Sequence, residues 1–84
     1  MSFKLLILRR VEKALADVPS PVYERIRDSI RSLASDPRPR GSKKLISRPG
    51  RRIRVGAYRI IYEIDDGAST VTILDVGHRR DVYK

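Results

Sequence analysis

The stretch "RRIRVGAYRIIYE", Arg51 to Glu63, decides the fold class. Ile53 and Val55 alternate with Arg52 and Arg54, and beyond Gly56 the residues Tyr58, Ile60, Tyr62 and Ile64 alternate with Arg59, Ile61 and Glu63. A period of two is the signature of a strand with one buried face. Four of the 13 residues are arginine, and Arg52, Arg54 and Arg59 take the parity opposite to Ile53, Val55, Tyr58, Ile60 and Tyr62. This predicts a sheet whose apolar face packs on something else while its other face is uncovered and cationic. Gly56 reads as a bend or bulge in the run, with Arg59 joining the other two arginines beyond it. The tyrosine stripe reads as core rather than as a platform for stacked bases.

Working outward, "DDG" (Asp65 to Gly67) is a hairpin turn, and "TVTILDV" (Thr70 to Val76) is the returning strand. Upstream, "SRPGR" is a turn and Lys44 to Ile46 a short strand. "DPRPRGSKK" (Asp36 to Lys44) is a basic loop stiffened by two prolines. Helical periodicity precedes it. Val11, Ala14, Leu15 and Val18 form one stripe, stopped by Pro19. Val22, Ile26, Ile30 and Leu33 form a second, with Ser20 as N-cap, Pro21 in the first turn, and an end before Asp36-Pro37. Ser2 to Leu8 is a first strand. The order predicts an α+β domain. Its twisted sheet has four or five strands, antiparallel but mixed at the N-terminal strand, and an N-terminal two-helix hairpin packs on one face.

At 84 residues the chain is expected to be a single domain, residues 1–84. Its stability should lie on the order of 4–13 kcal/mol. There are no cysteines, so packing alone must hold the fold, as suits a reducing cytoplasm. "LLIL" (Leu5 to Leu8) is far shorter than a membrane span or a signal-peptide core and reads as buried strand; no membrane association is expected. The net charge of +9 calls for an anionic partner. The charge is also concentrated. No acid lies between Asp36 and Glu63, and nine of the 19 Lys and Arg fall in that gap, leaving the rest of the chain balanced. Arg38, Arg40, Lys43, Lys44, Arg48 and Arg51, with Arg80 near the end, are read as RNA-binding; the plainer reading is a solvated basic face.

The residues for chemistry are few. His78 is the only histidine, and no spacing of ligands suggests a metal or any other cofactor. There is no phosphate-binding glycine loop. A metal-free basic site can still cleave RNA, by attack of a 2′-hydroxyl on its neighbouring phosphate. Guanidinium groups suit the phosphorane's extra charge, because their planar fork matches phosphate oxygens. Arg52, Arg54, Arg59 and Arg79 are the candidates. Tyr83 either stacks on a base or packs the C-terminal segment. His78 either shuttles a proton or is structural.

The stretch "KKLISRPGRRIRVGAYRIIYEIDDG", followed by "VTILDVGHRRDVY", resembles the RelE side of the RelE/ParE toxin superfamily, over nearly the whole chain. "RIRVGAYRIIYEI" and "VGHRRDVY" carry the resemblance most specifically. It implies a RelE-like fold and the toxin of a type II toxin–antitoxin system, an mRNA endonuclease that cuts the codon in the ribosomal A site without metal and leaves a 2′,3′-cyclic phosphate. It implies as partners a RelB-like antitoxin, the ribosome with its mRNA, and operator DNA through the toxin–antitoxin complex. It gives catalytic places to Arg52, Arg54, Arg59, Arg79 and Tyr83. The best-studied members carry lysines where Arg52 and Arg54 stand. Arginine does not lose its proton, so neither can be a general base, and His78 becomes the base candidate by elimination. Two other classes stay open: a ParE-type toxin that inhibits DNA gyrase by protein contact, and a non-catalytic nucleic-acid-binding module.

Overall fold

The computed structural model describes residues 2–78. Seven elements follow one another: β1 (Lys4–Ile7), α1 (Arg9–Ala16), α2 (Val22–Ser32), β2 (Lys43–Lys44), β3 (Arg51–Val55), β4 (Tyr58–Asp65) and β5 (Thr70–His78). The strands form one sheet in the order β1-β5-β4-β3-β2. β1 runs parallel to β5, and every other pair is antiparallel. This is the α+β architecture expected from the periodicities, mixed at its N-terminal strand.

The helices form where the apolar spacing placed them and cover one face of the sheet. Val11 of α1 and Ile26 and Ile30 of α2 are buried, as is Leu33 at the end of α2. They meet Val55, Ile60, Tyr62, Val71, Ile73 and Val76 of the sheet. Burying a side chain of this size contributes about 1.5–3 kcal/mol, so this layer is the main source of stability. α1 lies along β5 and α2 against β3, with a cleft between them lined by Leu5, Ile7, Leu15, Tyr23 and Ile30. No helix among the described residues is long and apolar enough to cross a membrane.

Several local expectations change. Ser20 does not cap α2: Pro21 holds the cap position, and the Ser20 hydroxyl donates to Glu24 Oε1 at 2.6 Å. The strand expected over Lys44 to Ile46 shrinks to Lys43–Lys44, with Ile46 fully exposed. Gly56 is neither bend nor bulge. With Ala57 it makes a two-residue hairpin turn, at φ 59°. Gly first in such a turn, with only one positive φ, matches the hairpin geometry whose twist suits the flanking strands. At the next hairpin the left-handed residue is Ser69, at φ 54°, in a turn that spans Asp66 to Ser69. The Asp65 carboxylate accepts from the Ala68 N–H there.

Gly50 enters β3 at φ 117°, and a Cβ there would lie 2.9 Å from the Tyr62 carbonyl oxygen. Backbone cannot yield as a side-chain tip can, so Gly50→Ala should cost about 2 kcal/mol or more. Urea unfolding checks this; an unchanged midpoint would show that the turn relaxes freely.

Candidate phosphate-binding face

The hairpin turn at Gly56 folds β3 back on β4 and sets their register. Arg54 stands directly opposite Arg59, Arg52 opposite Ile61, and Ile53 opposite Ile60. Ile60 is in the core, so Arg52, Arg54 and Arg59 lie on the face away from the helices, as their parity predicts. Lys43 of β2 pairs with Arg52 and shares that face. Like charges directly opposite one another on adjacent strands are destabilising. The register of Arg54 against Arg59 gathers two guanidinium groups where one anion can meet both. Arg54 is exposed, while Arg52 and Arg59 are half-buried.

This face is not uncovered throughout. Ile61 belongs to it by register yet is only 1% exposed, and it stands apart from the helix-side core. It gives the arginines an apolar floor, which stiffens long side chains and lowers the local dielectric around them.

One acid that is not among the candidates above shares a row with these arginines. Ile61 pairs on its other side with Asp75. A β-bulge lies here: Ile61 meets Asp75 while Tyr62 meets Ile73, so Leu74 is the extra residue. Ile73 and Val76 are both buried in the core, and the two residues between them therefore turn to the arginine face. The sequence held a signal of this. Apolar Val71 and Ile73 are followed by Val76, a slip in phase that a regular strand does not make.

The remaining candidates separate. Arg51 has the helix-side parity, opposite Tyr62, and its guanidinium donates to the Ser42 hydroxyl at 3.0 Å. Lys44 pairs with Arg51 and shares that parity. Arg40 and Arg48 are exposed in loops. Arg38 makes a two-pronged ion pair with Asp66, at 2.8 and 3.2 Å. It thereby ties the basic loop to the β4–β5 turn, roughly 20 Å along the strand from Arg59. His78 ends β5 opposite Tyr58, against whose ring it sits edge-on with centroids 5.8 Å apart. That is the helix-side parity, not that of Arg59. Arg79, Arg80 and Tyr83 lie outside the described residues.

The hydrogen bond from Arg38, reinforced by its charge, holds the Asp66 carboxyl below its ordinary value, and Asp66 correspondingly raises Arg38. A depressed carboxyl contributes stability above its unfolded value, and that contribution is lost as pH falls through the folded one. Asp66→Asn should therefore lower the melting temperature slightly at neutral pH and leave it unchanged in strong acid. Both residues are exposed, so the effect is small. An equal loss at both pH values would assign it to something other than the ion pair.

The chain is similar to known proteins over nearly its whole length. The family model described as ParE toxin of type II toxin-antitoxin system, parDE, matches residues 5–83. Toxin RelG of Mycobacterium tuberculosis is 55% identical over 31 residues, which are 37% of this chain and 36% of that protein. The chain thus spans about a third of that curated relative's length. Among solved structures, a RelBE toxin–antitoxin complex of Mycobacterium tuberculosis superposes with a TM-score of 0.82 at 27% identity, over 94% of this chain and 100% of that one. The archaeal RelE–RelB complex of Pyrococcus horikoshii gives 0.81 at 26%, over 96% and 99%. The isolated RelE toxin of E. coli gives 0.79 at 25%, over 98% and 92%. A toxin model that spans nearly the whole chain and a RelE-like fold shared almost end to end make this chain a member of the ParE toxin family of type II toxin–antitoxin systems, within the RelE/ParE superfamily.

Proposed function

We propose that this toxin is a ribosome-dependent mRNA endonuclease that cleaves in the A site by metal-independent attack of a 2′-hydroxyl on the adjacent phosphate. The observation that carries the reading is the direct opposition of Arg54 and Arg59, flanked by Arg52, on the face the helices leave free. Three guanidinium groups over an apolar floor can hold a phosphodiester and stabilise the charge that builds on it as the fifth oxygen bonds. Lys43 extends the cationic strip, and Arg40 and Arg48 in the loops can meet the RNA backbone. Arg79 and Tyr83 take their places beside the phosphate and the base from the family resemblance alone. The partners on this reading are the ribosome, a RelB-like antitoxin that neutralises the basic surface, and operator DNA through the complex of the two. The cytoplasm is where they meet.

A second reading is favoured by the family model that matches, which is that of ParE: the toxin would inhibit DNA gyrase by contact, without cleaving RNA. One experiment separates the two. The toxin is added to a translation reaction and mRNA breaks are mapped by primer extension, with gyrase supercoiling followed in parallel. Breaks inside A-site codons support the endonuclease. Intact mRNA with blocked supercoiling replaces it with the gyrase reading. Intact mRNA and active gyrase leave a non-catalytic binding module.

A further inference from the structure

The proposed reaction needs a group that takes the 2′-hydroxyl proton, and no arginine can do so at any physiological pH. His78, the candidate by elimination, has its ring against Tyr58 on the other side of β5. Asp75 is on the right side. Among the described residues it is the one acid in the same cross-strand row as an arginine of this face, the row Lys43, Arg52, Ile61, Asp75. It is also a diagonal neighbour of Arg59, whose partner is Gly77. Such neighbours lie roughly 7–8 Å apart at Cα, a gap that a phosphate bound to arginine fills. Asp75 is half-buried, and no hydrogen bond or ion pair between described residues uses its carboxylate.

Its orientation is built in rather than incidental. Without the extra residue, strict alternation from Ile73 would turn Asp75 into the helix-side core and Val76 out of it. The bulge reverses both. Bulges leave a backbone group without its ladder partner, and here the Leu74 carbonyl accepts from Arg10 Nε of α1 at 2.9 Å. A helix side chain thus fastens the one irregularity that presents Asp75 to the arginines.

We infer that Asp75 is the general base of the cleavage, an inference that rests on the endonuclease reading above. The Asp75 carboxylate takes the proton of the 2′-hydroxyl as that oxygen bonds to phosphorus. The bond from phosphorus to the 5′-oxygen breaks, and the 5′-oxygen leaves with a proton from water. The products are a 2′,3′-cyclic phosphate and a 5′-hydroxyl. Arg52, Arg54 and Arg59 hold the phosphate oxygens throughout, and no redox partner or metal is needed for the balance.

The test uses the whole toxin on translating ribosomes, with single-turnover cleavage read by primer extension. Asp75→Asn, nearly isosteric, should cleave about 100-fold or more slowly than the parent at an unchanged melting temperature. His78→Gln should stay within a few-fold of the parent. Asp75→Gly opens space for a small carboxylate, so added formate should restore much of its rate and leave the parent unaffected. Asp75→Asn cleaving at the parent's rate overturns the assignment while the endonuclease reading stands. So does a slow Asp75→Gly that formate does not rescue, since that pattern marks a structural role. A parent that leaves mRNA intact overturns both.

Discussion

Replacing Arg54 with alanine is expected to cut mRNA cleavage by about 100- to 1,000-fold, the usual loss when one donor to a developing oxyanion is removed, and to leave the domain at least as stable as before. The two halves of this result have one cause. Arg54 is exposed at the end of β3, and no hydrogen bond or ion pair between described residues depends on it. It faces Arg59 across the hairpin, so its removal takes away one of two like charges in register, an effect of at most some tenths of a kcal/mol. Alanine gives part of this back through its poorer strand propensity. A residue kept only for folding would show the opposite pattern. The measurement pairs single-turnover cleavage with urea unfolding, and Arg40→Ala, a loop arginine far less constrained, serves as the comparison. Equal losses for the two variants would reduce Arg54 to general electrostatic attraction. Undiminished cleavage by Arg54→Ala would remove the Arg54–Arg59 pair from the mechanism. Arg54→Lys should recover only part of the rate, since an ammonium keeps the charge but loses the two-pronged geometry.

The largest effect on stability belongs to Tyr62. It is fully buried, it is the largest such side chain among the described residues, and its hydroxyl donates to the Pro37 carbonyl at 2.8 Å. It therefore does two things. Its ring fills the layer between β4 and the helices, and its hydroxyl ties down the start of the basic loop, 25 residues away in sequence. Tyr62→Ala should cost about 3–5 kcal/mol, as truncation of a buried aromatic does. Against a total on the order of 4–13 kcal/mol, that leaves the domain unfolded or nearly so at working temperature. Tyr62→Phe isolates the second part. It keeps the ring but strands a carbonyl on buried Pro37, for about 1–3 kcal/mol. Because that loop runs on to Lys43 and β2, Tyr62→Phe should also loosen the edge of the arginine face. Urea unfolding of both variants checks the split. Tyr62→Phe at parental stability would show that the ring alone matters and that the loop is held by other contacts, such as the Arg38–Asp66 ion pair.

The candidate site was legible in part, and the part that was missed has a common character. Alternation in Arg51 to Glu63 put Arg52, Arg54 and Arg59 on one face because side-chain direction in a strand is a local property of the backbone. The helical stripes of Val11 to Val18 and Val22 to Leu33 were legible for the same reason. Arg51 and Arg38 were read with the RNA-binding residues because charge in a sequence does not show what it is paired with. Their partners, Ser42 across a loop and Asp66 across 28 positions, meet them only in the folded chain. His78 is a base candidate by its chemistry, but the parity it shares with Tyr58 puts it off the face of Arg52, Arg54 and Arg59. Asp75 was overlooked because a single acid in a returning strand looks like any solvated residue until a slip of phase is recognised as a bulge.

The sequence by itself determined the order of elements, the two faces of the sheet, the cationic sign of one of them, and the exclusion of its arginines as bases, all of which follow from local periodicity and side-chain chemistry. Tertiary structure alone decided which charges meet. The register set at Gly56 brings Arg54 against Arg59, and the bulge at Leu74, held by Arg10 from a helix 64 residues earlier, presents Asp75 to them. The turn fixes the first register locally, but the bulge is settled only by packing β5 against β4 and the helices together, so that Ile73 and Val76 are both buried; the slip of phase in the sequence hints at it without showing which charges it brings together.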